Sequence, residues 1–127
     1  MTQTVAPITP IFVFGSNTSG RHGKGAALFA RRERGAVYGQ GEGIQGNAYG
    51  IPTKGERSDR SLYTLPLAQV RAAVERFLAY AGAHPELCFE VTRIGCGLAG
   101  YTPADIGPLF AAAPANCLLP PEFLSYR

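Results

Sequence analysis

No apolar stretch in this chain approaches the roughly 20 residues that a membrane-spanning helix needs. The start, Met1-Thr2-Gln3-Thr4, has no positive cluster followed by an apolar run, so no signal peptide and a cytoplasmic location are expected. Cysteine is scarce. Cys88, Cys96 and Cys117 form no CxxC pair and, with His22 and His84, no zinc spacing, so no metal site is expected. An odd number of thiols in an unexported chain predicts reduced cysteines. Cys88 and Cys117 lie in apolar stretches and read as buried small hydrophobes. Charge of one sign is also lacking: the net +3 is too small to indicate nucleic-acid binding. There are no internal repeats and no linker. The phosphate-loop signature is missing because Lys24 is not followed by Ser or Thr, and the spacing of the dinucleotide fingerprint is missing too.

What is present fits one globular domain. The 127 residues are 46% apolar, enough for a core. Ten of the twelve basic residues are arginine, and the two lysines, Lys24 and Lys54, both fall in glycine-containing segments. Arg31, Arg32 and Arg34 cluster at the end of a predicted helix, where a solvated face complementing the helix C-terminus is the preferred reading.

Ile11-Phe12-Val13-Phe14 reads as a buried strand stopped by Gly15-Ser16-Asn17. A helix is predicted over 26–33 with Gly35 at its C-terminal end, and a weak strand over 36–38. Residues 39–46 hold four glycines and read as turn or loop, 48–51 as a short strand ended by Pro52, and 54–61 as an exposed loop. Leu67, Val70, Val74, Phe77, Leu78 and Ala81 recur at three- and four-residue spacing and predict a helix begun at Pro66 and ended by Gly82 and Pro85. Further strands are expected over 87–92 and 116–119. Thr102-Pro103-Ala104-Asp105 predicts a capped helix start, and 120–127 a surface tail. Alternating strands and helices point to an α/β fold with a parallel or mixed sheet covered on both faces.

Two segments carry the candidate chemistry. Gly15-Ser16-Asn17-Thr18-Ser19-Gly20-Arg21-His22-Gly23-Lys24-Gly25 links a strand to a helix, and Ile94-Gly95-Cys96-Gly97-Leu98-Ala99-Gly100-Tyr101 repeats the arrangement. Glycine lets the main chain approach a phosphate, and a helix N-terminus adds N–H donors and partial positive charge. Two such loops predict a cleft gripping a diphosphate from two sides. Tyr101 has two readings, a ring that stacks on the ligand or a half-buried tyrosine packing the helix start. Lys54, after a strand, is a phosphate contact, a nucleophile or simply exposed, and spacing alone favours exposure.

The blocks Phe12-Val13-Phe14-Gly15-Ser16-Asn17, His22-Gly23-Lys24-Gly25-Ala26-Ala27-Leu28-Phe29, Tyr49-Gly50-Ile51-Pro52-Thr53-Lys54 and Thr92-Arg93-Ile94-Gly95-Cys96-Gly97-Leu98 run in order through 11–110. Through them the chain resembles the macro-domain superfamily, which binds ADP-ribose. The likeness is greatest to its small hydrolases that remove ADP-ribose from acidic side chains or DNA bases, and extends to small phage and bacterial proteins sharing these blocks. The resemblance implies one macro-like domain over 1–127, a three-layer α/β/α arrangement with a central mixed sheet, a core over about 9–119 and a tail over 120–127. It implies ADP-ribose or an ADP-ribosylated protein or nucleic acid as partner; no cofactor, no membrane and a monomer are expected, with the oligomeric state not set by the sequence. It places Phe14, Gly15, Ser16, Asn17, Gly23, Lys24, Gly25, Thr53, Gly95, Cys96, Gly97, Leu98, Ala99, Gly100 and Tyr101 at the ligand. Ser16 and Asn17 would face the distal ribose. Lys54 falls on the lysine that attacks the anomeric carbon. Ala99 stands where those hydrolases have an aspartate acid/base partner. Asp105, the nearest acid downstream, is explained by capping; Glu56 and Asp59 have no assigned position. His22 has two readings, a substitute acid or base by its near-neutral pKa or, as a lone loop histidine, a polar contact. The alternative function is a non-catalytic reader or sequestering protein for ADP-ribose or an NAD-derived signalling nucleotide.

Overall fold

The computed structural model describes residues 9–127. Met1-Thr2-Gln3-Thr4, on which the expectation about a leader rests, lies outside them. The first strand, β1 (Ile11–Asn17), is apolar on both faces. Ile11 and Val13 join one core, while Phe14, with Phe12 against it, joins another. A strand of this kind must be covered on both sides. Helix α1 (Gly25–Glu33) covers the Phe14 side with Ala27 and Ala30. Helix α2 (Leu67–Ala83) covers the other, through Val70, Val74 and Phe77. The helix expected over 66–82 is therefore present, with its apolar stripe turned inward.

The sheet is mixed and has six strands. The others are β2 (Gly43–Gln45), β3 (Ala48–Glu56), β4 (Leu62–Thr64), β5 (Phe89–Val91) and β6 (Cys117–Leu118). Their order is β2-β3-β1-β5-β6, with β4 on the outer side of β3. β1 runs parallel to β3 and β5, β5 runs parallel to β6, and β2 and β4 run antiparallel to β3. Helices on both faces make the fold α/β, compatible with three layers. No helix of the described residues is long and apolar enough to cross a membrane.

Several sequence expectations are corrected. β1 continues through Gly15-Ser16-Asn17, because its pairing with β3 continues as far as Asn17 opposite Lys54. Residues 36–38 are not a strand: the Val37 N–H donates to the Gln45 side chain instead of a neighbouring strand (2.9 Å). The glycine-rich 39–46 segment includes β2. β3 runs through Pro52 to Glu56, so Lys54 sits on a strand and not in a loop. Its proline is tolerated because the ladder slips there: Ser16 pairs with Pro52, but Asn17 pairs with Lys54. The outer edge of β3 also changes partner at this point, from β2 to β4. A residue without an N–H fits such a break. After β5, the Thr102 capping box starts α3 (Pro103–Ile106) as expected, with the Asp105 side chain accepting from the Thr102 N–H (2.9 Å). A 3-10 turn, Gly107–Phe110, follows.

The tail does not run loosely over the surface. It forms α4 (Pro121–Leu124), and Phe123 is fully buried against Phe110, ring centroids 5.4 Å apart. Arg127 donates to the carbonyls of Cys117 (3.0 Å) and Ala113 (3.2 Å). Cys117 is buried as expected, while Cys88 is half-buried. Truncating the tail's anchor, Phe123→Ala, is expected to cost about 3–5 kcal/mol, the usual loss for a buried phenylalanine. Urea denaturation checks this; a loss below about 1 kcal/mol would mean that the tail is not part of the core.

Candidate functional site

β1 and β5 are neighbours whose chains leave toward opposite faces. β1 leads to α1 on the Phe14 side, and β5 leads to α3 and the 3-10 turn on the Val13 side. The carboxyl ends of two such strands leave a crevice where α/β folds take ligands. A cleft of about 1080 Å³ opens here. Small-molecule sites are typically on the order of 300–1,000 Å³, so this one has room for a dinucleotide-sized ligand.

At its floor the three parallel strands converge. A Cβ built on Gly15 would lie 3.6 Å from the Gly95 nitrogen and 3.7 Å from Thr53 Oγ1. Thr92 ties β5 to β1 through its hydroxyl, which donates to the Val13 carbonyl (2.8 Å).

The first wall is the 18–24 loop and the start of α1. Asn17 is buried and holds the loop closed. Its Nδ2 donates to the Arg21 carbonyl (2.8 Å), and its Oδ1 accepts from the Arg21 N–H and the Ser19 hydroxyl (both 2.8 Å). Gly20 has φ +71, and a Cβ there would sit 2.3 Å from the Gly39 carbonyl carbon. Only glycine fits this contact, which lays the 37–41 segment beside the loop and brings Tyr38 to the cleft rim. Lys24 makes no side-chain cap, α1 has no acid in its first turn, and the first helical bond comes from the Leu28 N–H. The N–H groups of Gly25, Ala26 and Ala27 precede that bond, and all three residues line the cleft.

The second wall is the 94–101 loop. Gly95 (φ +76) turns it, and the Tyr101 N–H closes it onto the Gly95 carbonyl (2.9 Å). The Thr64 hydroxyl pins it from β4 by donating to the Ala99 carbonyl (2.8 Å). Among the described residues, the N–H groups of Gly97, Leu98 and Ala99 donate no hydrogen bond. A Cβ on Gly97 would meet nothing within 4 Å, so this stretch is open to the cleft.

Four cationic side chains line the cleft, Arg21, Lys24, Lys54 and Arg93, against one carboxylate, Glu122. Arg21 is paired with Glu56 (3.7 Å) and Arg93 with Glu122 (2.6 Å). Lys24 and Lys54 make no ion pair among the described residues, and Lys54 is half-buried. Burial pushes the Cys96 thiol up, which Arg93 only partly offsets, and this disfavours the thiolate that a nucleophile would need.

The structure thus brings Gly15, Ser16, Asn17, Gly23, Lys24, Gly25, Thr53, Lys54, Gly95, Cys96, Gly97, Leu98 and Ala99 to one cleft. Phe14 belongs to the core below it, and Gly100 and Tyr101 do not line it. Tyr101 packs against the core, and its hydroxyl donates to the Leu65 carbonyl. The exposed ring at the cleft is Tyr38, with the Arg31 guanidinium 5.6 Å from its centroid. Glu56 is held by Arg21 and Arg60, and Asp59 accepts from Ser61; neither reaches the cleft. Reading the sequence missed Arg21, Tyr38, Arg93 and Glu122. Arg21 and Arg93 carried a signal, as cations within or beside glycine loops. Tyr38 and Glu122 arrive only through tertiary packing.

His22 lies beneath the cleft, fully buried and edge-on to Phe14 (5.2 Å). Its Nε2 is 3.4 Å from the Ser16 hydroxyl, and its Nδ1 has no partner among the described residues. It reaches the cleft only through Ser16. Burial lowers its pKa from 6.5; the Gln40 main chain opposes this and Arg31 adds to it.

No family model matches this chain, and neither a curated protein nor a solved structure matches it.

A buried neutral imidazole links stability to pH. The folded value lies below the unfolded 6.5, so the contribution is fully present above pH 6.5 and is lost as pH falls through the lowered folded value. Urea midpoints should therefore decline below pH 6.5, and His22→Gln should flatten that decline. An unchanged slope in the variant would show that His22 does not carry it.

Proposed function

We propose that this chain is a macro-like domain that binds ADP-ribose, or an ADP-ribose-like nucleotide, in the cleft between the two glycine loops. One observation carries the reading. Free N–H groups of Gly25–Ala27 and of Gly97–Ala99 border the same cleft, in a field of four cations and one carboxylate. Main-chain donors on two sides suit an anion with two adjacent phosphate groups. The size of the cleft suits what is attached to them at either end.

The reading extends to hydrolysis, with ADP-ribose removed from a modified protein or nucleic acid. Lys54 lines the cleft beside Asn17 and makes no ion pair among the described residues that would hold it away from a ligand. In this role Lys54 acts in its neutral amine form: its nitrogen bonds to the anomeric carbon of the distal ribose, the modified group leaves with the electron pair of the broken bond and takes up the proton the amine gives up, and water then replaces the lysine to release ADP-ribose. The second reading, a non-catalytic binder, is favoured by a different observation. Ala99 cannot move a proton, and the cleft's one carboxylate is occupied by Arg93.

Calorimetry should show heat of binding with ADP-ribose. Gly97→Glu, which puts a carboxylate into open space between the donors, should weaken binding at least about a hundredfold, close to 2.7 kcal/mol. No heat with ADP-ribose, NAD or AMP would sink the ligand claim. Turnover is tested on ADP-ribosylated acidic peptides and ADP-ribosylated single-stranded DNA side by side. Lys54→Ala should abolish release from either while binding stays measurable. Equal turnover by the variant removes Lys54 from the mechanism, and no turnover by the unaltered protein leaves the binder.

A further inference from the structure

We infer that the C-terminal helix is part of the binding site, with Arg93 a direct contact for the ligand's phosphate and Glu122 the residue that positions it. The inference rests on the nucleotide reading above and adds residues that neither glycine loop contains.

Both side chains line the cleft, and Arg93 Nε lies 2.6 Å from Glu122 Oε2. Arg93 immediately precedes the second loop, in which Gly97, Leu98 and Ala99 line the same space and donate no main-chain hydrogen bond among the described residues. Its side chain is 55% exposed, so nothing in the core fixes it. An arginine so placed is mobile, and ordering it on binding would cost rotamer entropy. Glu122 removes that cost beforehand. It sits beside the guanidinium at Nε as a close ion pair that is not aligned as a hydrogen bond, and the two terminal nitrogens make no hydrogen bond among the described residues. Those nitrogens form the end of the fork that meets a phosphate in bidentate fashion.

The carboxylate can do this because it stands on a fixed support. Phe123, next to it, is fully buried. Arg127 ties the end of the tail to main-chain carbonyls, and Pro120 and Pro121 stiffen the approach. A surface ion pair between two free side chains contributes little. Here the main chain of one partner is anchored beside the buried Phe123, and the place it gives the other is the functional part.

The test is ADP-ribose titration by calorimetry at two salt concentrations, with melting temperatures recorded for every variant. Arg93→Gln should weaken binding about tenfold, the worth of one charge-assisted hydrogen bond. It should also reduce the salt dependence of affinity, which a structural role would not change. Glu122→Ala should weaken binding to a similar extent with an unchanged melting temperature, and Glu122→Asp should recover part of the loss. Equal affinity in Glu122→Ala would overturn the positioning role. Tighter binding would overturn it as well, since the carboxylate would then be competing with the ligand for Arg93. Absence of binding by the unaltered protein overturns the nucleotide reading and this inference together, whereas normal binding with insensitive variants overturns this one alone.

Discussion

β1 is hydrogen-bonded along both edges, to β3 on one side and β5 on the other, and its residues point alternately into two separate cores. That constraint fixes the cleft. β1 is central, its first half tied to β5 as far as Val13 and its last residues, through Asn17, tied to β3. Because its exit goes to one face and that of β5 to the other, no helix covers the gap between them. The slip in register beside Thr53 belongs to the same device. Bulges re-aim side chains next to sites, and here Lys54 is set opposite Asn17 at the end of the ladder. The loop held by Asn17, the loop turned by Gly95 and the lysine on β3 are thus referred to one rigid strand.

What could be read from the sequence was whatever carries a local signal. The apolar run of β1, the helical stripe of α2, the two glycine loops and the Thr102–Asp105 box all depend on neighbours in sequence, and all are present. β2 and β4 escaped because each has only three residues and exists through its pairing with β3. Pro52 read as a stop because a proline normally ends a strand; its tolerance depends on a ladder irregularity made by two segments far apart. Phe123, a single aromatic near two prolines, has no periodicity of its own, and its burial is decided by Phe110. Within the site the same rule holds. The glycine loops were legible, Lys54 came to the site only through the resemblance, and Tyr38 and Glu122 reach the cleft from segments without a motif. His22 stood in the right loop, but only packing could show that it lies under Ser16.

The cleft also has an electrostatic logic that composition hints at without explaining. Four cations around one space repel one another, to an extent that water and salt screen at partly exposed positions. The protein neutralises the arginines and leaves the lysines. Arg21 has Glu56 and Arg93 has Glu122, whereas Lys24 and Lys54 have no carboxylate among the described residues. The division follows the chemistry of the two side chains. A guanidinium can share its fork between a fixed carboxylate and a ligand, so neutralising it also orients it. An ammonium is a compact point charge whose use lies in remaining free.

The uncompensated charge therefore concentrates on the two lysines and on main-chain N–H groups that no carbonyl satisfies. Buried polar groups left unpaired cost about 1–3 kcal/mol each, and even in an open cleft water fulfils them only at some entropic cost. In the proposed reading, the two walls together offer main-chain donor capacity that an anion could use on both sides at once. That capacity is a stronger argument for a ligand than glycine content. Glycine permits a main chain to approach a phosphate, but it equally permits a loop to be floppy. The loops here are not floppy: Asn17, Thr64 and the Gly95–Tyr101 bond hold them. Donors held in place on both walls are what the proposed binding site rests on.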